Sequence, residues 1–293
     1  MRPRIAVTVG DPRGVGPELV AHVLADPPGE AAYVVIGPAE IVAGIPADGR
    51  MVIGAMPTPP TPEEAGRLTA LAVEKAVALA LSGDVSAIVT GPAEKRALHL
   101  AGYAYPGHTE WLAALAGGVD VAMMLVAGGL RVVLLTTHIP LRKVPDAISV
   151  GRVLSVGQLT RQALERWWGI EDPRLAVCAV NPHGGEGGIF GSEDDEILEP
   201  AAQELGAAGP LPADTVFVRA LRGEFDAVLV PAHDVGMTAV KVAGFGTGVN
   251  VTLGLPFVRT APDHGTAFDI AGKGIADPGS LREAVRMAVE LGG

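Results

Sequence analysis

The chain has 293 residues, 48% of them hydrophobic but only 4% aromatic, and a formal net charge of −11. That length suits one large domain or two lobes sharing a cleft, and an acidic chain without a basic run argues against nucleic acid and anionic membranes as partners. The single cysteine, Cys178, excludes an internal disulfide, argues against a cysteine-built zinc site and fits a reducing cytoplasm.

Ile5–Val9 reads as a buried strand close to the start, with no apolar run and cleavage site before it, so no signal peptide is expected. The loop Gly10–Glu18 follows. Gly14 and Gly16 fit a dinucleotide fingerprint, but Leu19 holds the third glycine position, so a tight strand-to-helix turn with Pro17 early in the helix is expected instead. Tyr33–Ile36 is the next strand, and Pro57–Pro62 is a loop before a helix over Glu63–Leu81. Ala87–Val89 is a strand ending in Thr90-Gly91-Pro92. Val121–Leu135 is broken by Gly128-Gly129 and Arg131, too short and interrupted to span a bilayer, and reads as two neighbouring strands, Val121–Val126 and Val132–Leu135. A helix over Ile148–Trp168, a strand Leu175–Val180, a helix Glu193–Leu205, a strand Ala227–Val230 and a helix Ser280–Leu291 capped by Ser280 complete the pattern. The strands lack period-two alternation, as strands covered on both faces do. Their alternation with helices predicts an α/β fold with a largely parallel sheet.

Three histidines share one local pattern: His138 follows Val132–Leu135, His183 follows Leu175–Val180 and His233 follows Ala227–Val230. Ligands of open α/β sheets bind beyond the carboxyl ends of strands, and three imidazoles there can hold one divalent cation with positions left open for substrate. The plainer alternative is that each histidine bonds a loop carbonyl. The run Gly184-Gly185-Glu186-Gly187-Gly188 lets backbone approach a ligand, or is merely a turn. His108 and Thr109 open a helical stretch whose N–H groups suit an anion. Lys241 and Arg259 are the right types for carboxylate or phosphate, and each is otherwise an ordinary surface charge; Lys95, after Thr90-Gly91-Pro92, faces the cleft or is a solvated lysine on the following helix.

Together these motifs resemble the 4-hydroxythreonine-4-phosphate dehydrogenase family of vitamin B6 biosynthesis, from the Gly10–Glu18 loop to the last helix. The resemblance rests on Pro106–Glu110, Thr136–Leu141, Asn181–Gly188, Gly209–Thr215 and Gly244–Thr260. Asp263–Gly274 adds a likeness to the cofactor-adenosine loop of the isocitrate and isopropylmalate dehydrogenases. The chain departs from the family where Val235 replaces the usual glutamine after His233-Asp234, and where Asp11 and Arg13 stand in place of the common Glu and Ala.

The resemblance implies an isocitrate/isopropylmalate dehydrogenase-like fold of two α/β lobes around a cleft, divided as 1–105 plus 245–293 and 106–244. It implies one divalent metal (Zn, Co, Mn or Mg) per active site on His138, His183 and His233, and substrate contacts from His108, Thr109, Lys241, Asn250 and Arg259. His264, Gly265, Thr266 and Asp277 are the cofactor candidates, for NAD or else NADP. Asp214, Lys95 and solvent activated by the metal remain open as the general base. The implied reaction is oxidation and decarboxylation of 4-phosphooxy-L-threonine by a cytoplasmic homodimer with active sites near its interface. A paralogous dehydrogenase of 4-phospho-threonate or 4-phospho-erythronate is the alternative.

Overall fold

The computed structural model describes residues 2–105 and 107–293, so Pro106, the first residue of one family motif, lies outside it. The chain forms two compact units, Met1–Asp120 with Val249–Gly293, and Val121–Gly248. The helix His108–Leu115, which the sequence reading assigned to the second lobe, belongs to the first unit. Its buried Trp111 packs against Tyr103, with ring centres 5.4 Å apart, and this ties the helix to the segment before it.

The first unit opens with β1 (Arg4–Thr8), α1 (Gly16–Ala25), β2 (Ala32–Gly37), α2 (Ala39–Val42), β3 (Gly49–Val52), α3 (Pro62–Leu81), β4 (Ala87–Thr90), α4 (Lys95–Leu100) and α5 (His108–Leu115). The second unit contains β5 (Ala122–Ala127), β6 (Leu130–Leu134), α6 (Val144–Ala147), α7 (Val150–Trp168), β7 (Leu175–Cys178), α8 (Glu199–Leu205), β8 (Ala208–Leu211), α9 (Ala213–Leu221), β9 (Ala227–Val230) and α10 (His233–Ala243). The chain returns to the first unit as β10 (Val249–Leu253), β11 (Val258–Pro262) and α11 (Gly279–Leu291).

Within the first unit the strands run β3-β2-β1-β4-β11-β10, parallel except where β10 meets β11. Within the second they run β5-β6-β9-β7-β8, parallel except for the β5–β6 hairpin. That hairpin turns on Gly128 and Gly129, both at positive φ (56° and 87°), as a two-residue turn matched to strand twist requires. β1, β4, β7 and β9 are buried along almost their whole length, which explains their unbroken apolar sequence.

Local chemistry sets the helix ends. Thr61 Oγ1 accepts the Glu64 N–H (3.2 Å) ahead of Pro62 at the start of α3. Ser149 does the same for Arg152 (3.2 Å) in α7, which stops at Gly169 in the left-handed region. Two expected helices differ. Glu193–Leu205 is split into a wide π-type turn, Asp194–Leu198, and α8. Ser280 does not cap α11; its hydroxyl bonds the Asp263 N–H and carboxylate (3.0 and 3.1 Å), while Asp277 Oδ1 takes the Gly279 N–H (2.9 Å). Among the described residues no helix is long and apolar enough to cross a membrane.

Candidate active site

In the first unit, Arg259 on β11 is 3% exposed. Among the described residues its guanidinium bonds only hydroxyls: Nε and Nη2 reach Thr90 Oγ1 at 3.2 and 2.6 Å, and Nη1 reaches Thr252 Oγ1 at 3.0 Å. Among the described residues no carboxylate neutralises it, and burial pulls its pKa down to about 10. A buried cation is costly unless a counter-charge completes it. His108 lies at the start of α5, with Nε2 buried and lacking a partner. Burial first, and then the charges of Arg259 and Lys95, push its pKa down to about 3, so it is a neutral imidazole at physiological pH. Gly107 provides no side-chain cap for α5, leaving the first N–H groups of that helix, beside buried Thr109, open to an anion. Lys95 lines a small cavity with His108, Tyr105 and Trp111, and Asn250 on β10 buries an Oδ1 that has no donor. The unit thus sets a neutral ring nitrogen within electrostatic reach of a cation that has no counter-charge among the described residues, and holds an unpartnered acceptor on β10. Arg259 was singled out from the sequence; its hydroxyl partner Thr252 carried no signal of its own.

A second cluster in this unit joins three loops. Arg13 bonds Asp11 (Nε–Oδ1 3.0 Å, Nη2–Oδ2 2.7 Å) and Glu94 Oε2 (2.7 Å), and its guanidinium lies 5.0 Å from the Phe268 ring centre. The bond to Asp11, itself 1% exposed, raises the Arg13 pKa despite burial. Val15 N–H donates to Thr266 O (2.9 Å), so the β1–α1 loop is also fastened to the 263–274 segment. Two buried atoms beside that segment lack partners, His264 Nε2 and Glu18 Oε1. Glu18 Oε2 accepts the Gly274 N–H at 3.4 Å, and His264 Nδ1 lies 3.0 Å from Gly265 O. Open donor and acceptor positions of this kind suit the hydroxyl and amino groups of an adenosine. The exposed Gly265 faces His264 Nδ1 as its one hydrogen-bond partner among the described residues, and the Asp277 carboxylate is already engaged at the start of α11.

In the second unit, β6, β9 and β7 are consecutive neighbours, and His138, His233 and His183 each follow the carboxyl end of one of them. The rings of His138 and His233 are 5.5 Å apart, and His233 Nδ1 is 2.8 Å from Asp234 Oδ1. Two imidazoles on one tetrahedral ion have ring centres about 5 Å apart, given metal–nitrogen bonds of about 2.0–2.1 Å, so this pair fits a shared ion. His183 is exposed on the loop after β7, and among the described residues no three His, Cys, Asp or Glu side chains converge into a complete metal group. Lys241 on α10 lies 5.7 Å from the Phe245 ring centre. Asp214, exposed in the first turn of α9, lines an apolar groove with Val218, Leu221, Val235 and Val242.

Mostly parallel strands alternating with helices in both units define a mixed α/β fold. The chain superposes on the apo β-decarboxylating dehydrogenase of Thermococcus kodakarensis with a TM-score of 0.50 at 15% identity, covering 98% of this chain and 81% of that one, a likeness of fold alone. The chain belongs to the family described as pyridoxal phosphate biosynthetic protein PdxA, whose model matches residues 45–288. It is 42% identical to 4-hydroxythreonine-4-phosphate dehydrogenase of Chromobacterium violaceum, over 100% of this chain and 98% of the other. It is 44% identical to D-threonate 4-phosphate dehydrogenase of Cupriavidus necator, over 99% and 97%. The crystal structure of 4-hydroxythreonine-4-phosphate dehydrogenase from Klebsiella pneumoniae matches with a TM-score of 0.88 at 40% identity, over 100% and 98%. The chain is an oxidoreductase by family.

Proposed function

We propose that the protein is the NAD-dependent, divalent-metal-assisted dehydrogenase that converts 4-phosphooxy-L-threonine to 3-amino-2-oxopropyl phosphate in pyridoxal phosphate biosynthesis, working as a cytoplasmic homodimer. The observation that carries the reading is buried Arg259, a cation with hydroxyl partners only, beside neutral His108 in a chain of this family. A substrate phosphate or carboxylate completes Arg259 through paired N–H···O bonds. His108 Nε2 and the Thr109 hydroxyl add neutral hydrogen bonds to the same substrate, and Lys241 and Asn250 are its remaining contacts. Because His108 stays uncharged, it orients the anion without competing with Arg259 for it.

His138, His183 and His233 are the metal ligands in this reading, with the set shared between two copies of the chain. The apolar groove of Val218, Leu221, Val235 and Val242 supports association of those copies. When bound, the divalent ion supplies Lewis-acid stabilisation of developing negative charge. His264, Gly265, Thr266 and Asp277 line the adenosine side of NAD, although Asp277 has to be shared with the α11 start. When bound, NAD would supply the hydride acceptor for the C3 hydrogen, and Asp214 and Lys95 are the side-chain candidates for the base that takes the hydroxyl proton. The resulting 3-oxo acid loses carbon dioxide because the electron pair of the breaking C1–C2 bond moves into an enol with the C3 ketone, and a proton then adds to C2 to restore the ketone.

The test is NADH formation from metal-loaded protein, NAD and 4-phosphooxy-L-threonine, with chelated protein and His183→Ala as controls. Metal-dependent NADH absent from both controls is expected. Turnover of D-threonate 4-phosphate instead transfers the mechanism to the activity named for the Cupriavidus relative. Silence with every phosphorylated acid overturns the dehydrogenase reading.

A further inference from the structure

The segment carrying His183 is fastened by a group with no part in the chemistry above. Asp194 has no exposed surface. Its carboxylate accepts two consecutive backbone N–H groups, Val180 on Oδ1 at 2.9 Å and Asn181 on Oδ2 at 3.0 Å, immediately before Pro182-His183. Asn181 Nδ2 in turn donates to Glu193 Oε2 at 2.8 Å, which holds the Glu193 carboxyl below its usual range. Farther along the loop, Phe190 N–H donates to Gly185 O at 3.1 Å. Within this closed segment His183 sits at φ 56°, ψ 23°, a left-handed conformation that a residue with a Cβ adopts when its surroundings impose it.

Asp194 opens the wide turn Asp194–Leu198, a geometry that recurs where helices serve functional sites. No basic side chain among the described residues reaches its carboxylate. A buried carboxylate with backbone donors as its whole hydrogen-bonding environment is a costly device for holding a turn, and the turn it holds is the one that presents an imidazole.

We propose that Asp194, backed by the Asn181–Glu193 pair, is a positioning residue for His183. It fixes the backbone on the amino side of the histidine, and through it the direction of the ring toward the metal. The proposal rests on the reading of His183 as a metal ligand. Groups that orient a ligand in this way alter metal affinity by about 10–100-fold when changed.

The experiment measures Co2+ and Zn2+ affinity of the chelated full-length protein by competition with a chelating dye, with the visible spectrum of the cobalt form and the melting temperature alongside. The variants are Asp194→Asn, which keeps the shape and turns one acceptor into a donor facing an N–H, Asn181→Ala, and His183→Ala. Asp194→Asn is expected to bind metal ~10–100-fold more weakly with an altered cobalt spectrum, and Asn181→Ala to shift both in the same direction by less. Should Asp194→Asn fail to fold, Asn181→Ala decides alone. Wild-type affinity and spectrum in the folded variants, while His183→Ala loses metal, overturn the positioning role and leave the ligand reading standing. Metal uptake that His183→Ala does not change overturns both.

Discussion

Replacing Arg259 by Met separates binding from folding. Burial lowers the arginine pKa from 12.5 to about 10, which is about 3 kcal/mol held against the charged form. Met removes that penalty and fills similar volume, but it also removes the three bonds to Thr90 and Thr252, each worth about 1.5 kcal/mol for a charged donor. The penalty relieved offsets most of that loss, so the unfolding free energy of Arg259→Met is expected to fall by about 1–2 kcal/mol. Substrate binding has no such compensation. Losing a paired charge-assisted contact costs about 3 kcal/mol, or ~100-fold in affinity. Urea unfolding and substrate KM on the same preparation provide the check. A large fall in stability with an unchanged KM would refute the reasoning, because it would make Arg259 a structural cross-link and not a waiting counter-charge.

His108 makes an acid limb visible. The folded protein refuses a proton on this ring until about pH 3, while the unfolded chain accepts one near 6.5. Stability from this group is therefore complete above pH 6.5 and falls progressively as pH drops toward 3. His108→Gln should flatten that limb in urea midpoints measured against pH, and parallel curves would count against a buried neutral ring. The Cys178 thiol, buried and pushed up to about 12, should react with iodoacetamide at pH 8 at least ~100-fold more slowly in the native protein than in denaturant; mass spectrometry of the alkylated fraction decides it. Gly66→Ala would bring a Cβ within 2.0 Å of the Ala97 carbonyl oxygen, forcing α3 and α4 apart. A loss of about 1–3 kcal/mol is expected in thermal or urea unfolding, and an unchanged stability would mean that this helix contact is slack.

Strands covered on both faces were legible because nothing but apolar residues fits them: Val132–Leu134, Leu175–Cys178 and Ala227–Val230 all appear where their composition put them. Their carboxyl ends, and so the three histidines, were legible for the same reason. β10 and β11 were not read as strands, because Gly-Leu-Pro between Leu253 and Phe257 breaks the pattern and polar Asn250, Thr252 and Arg259 interrupt the apolar run. α9 was hidden behind Pro210 and Pro212, and α10 by Gly236 within its span. The Asp11–Arg13–Glu94 cluster joins positions 81 residues apart, and Asp194 acts on backbone N–H groups 13 and 14 residues earlier. Links of that length leave no local periodicity to read. Val235, by contrast, was noted as a departure, and it proves to lie on the apolar groove beside Val242.

The order of segments in the first unit has a consequence for how the protein is made. Val121–Gly248 is one continuous stretch, so the pairings of β6 with β5 and β9, and of β7 with β9 and β8, can form as soon as it leaves the ribosome. The first unit has to wait. β4 is flanked by β1 from the start, but its other edge receives β11, whose Val258 pairs with Ala87. Until residues 258–262 are synthesised, the fully apolar strand Ala87–Val89 presents open N–H and C=O groups, a template for another nascent chain. A chain cut short anywhere between Gly248 and Val258 is therefore expected to be a sticky intermediate and not a smaller enzyme.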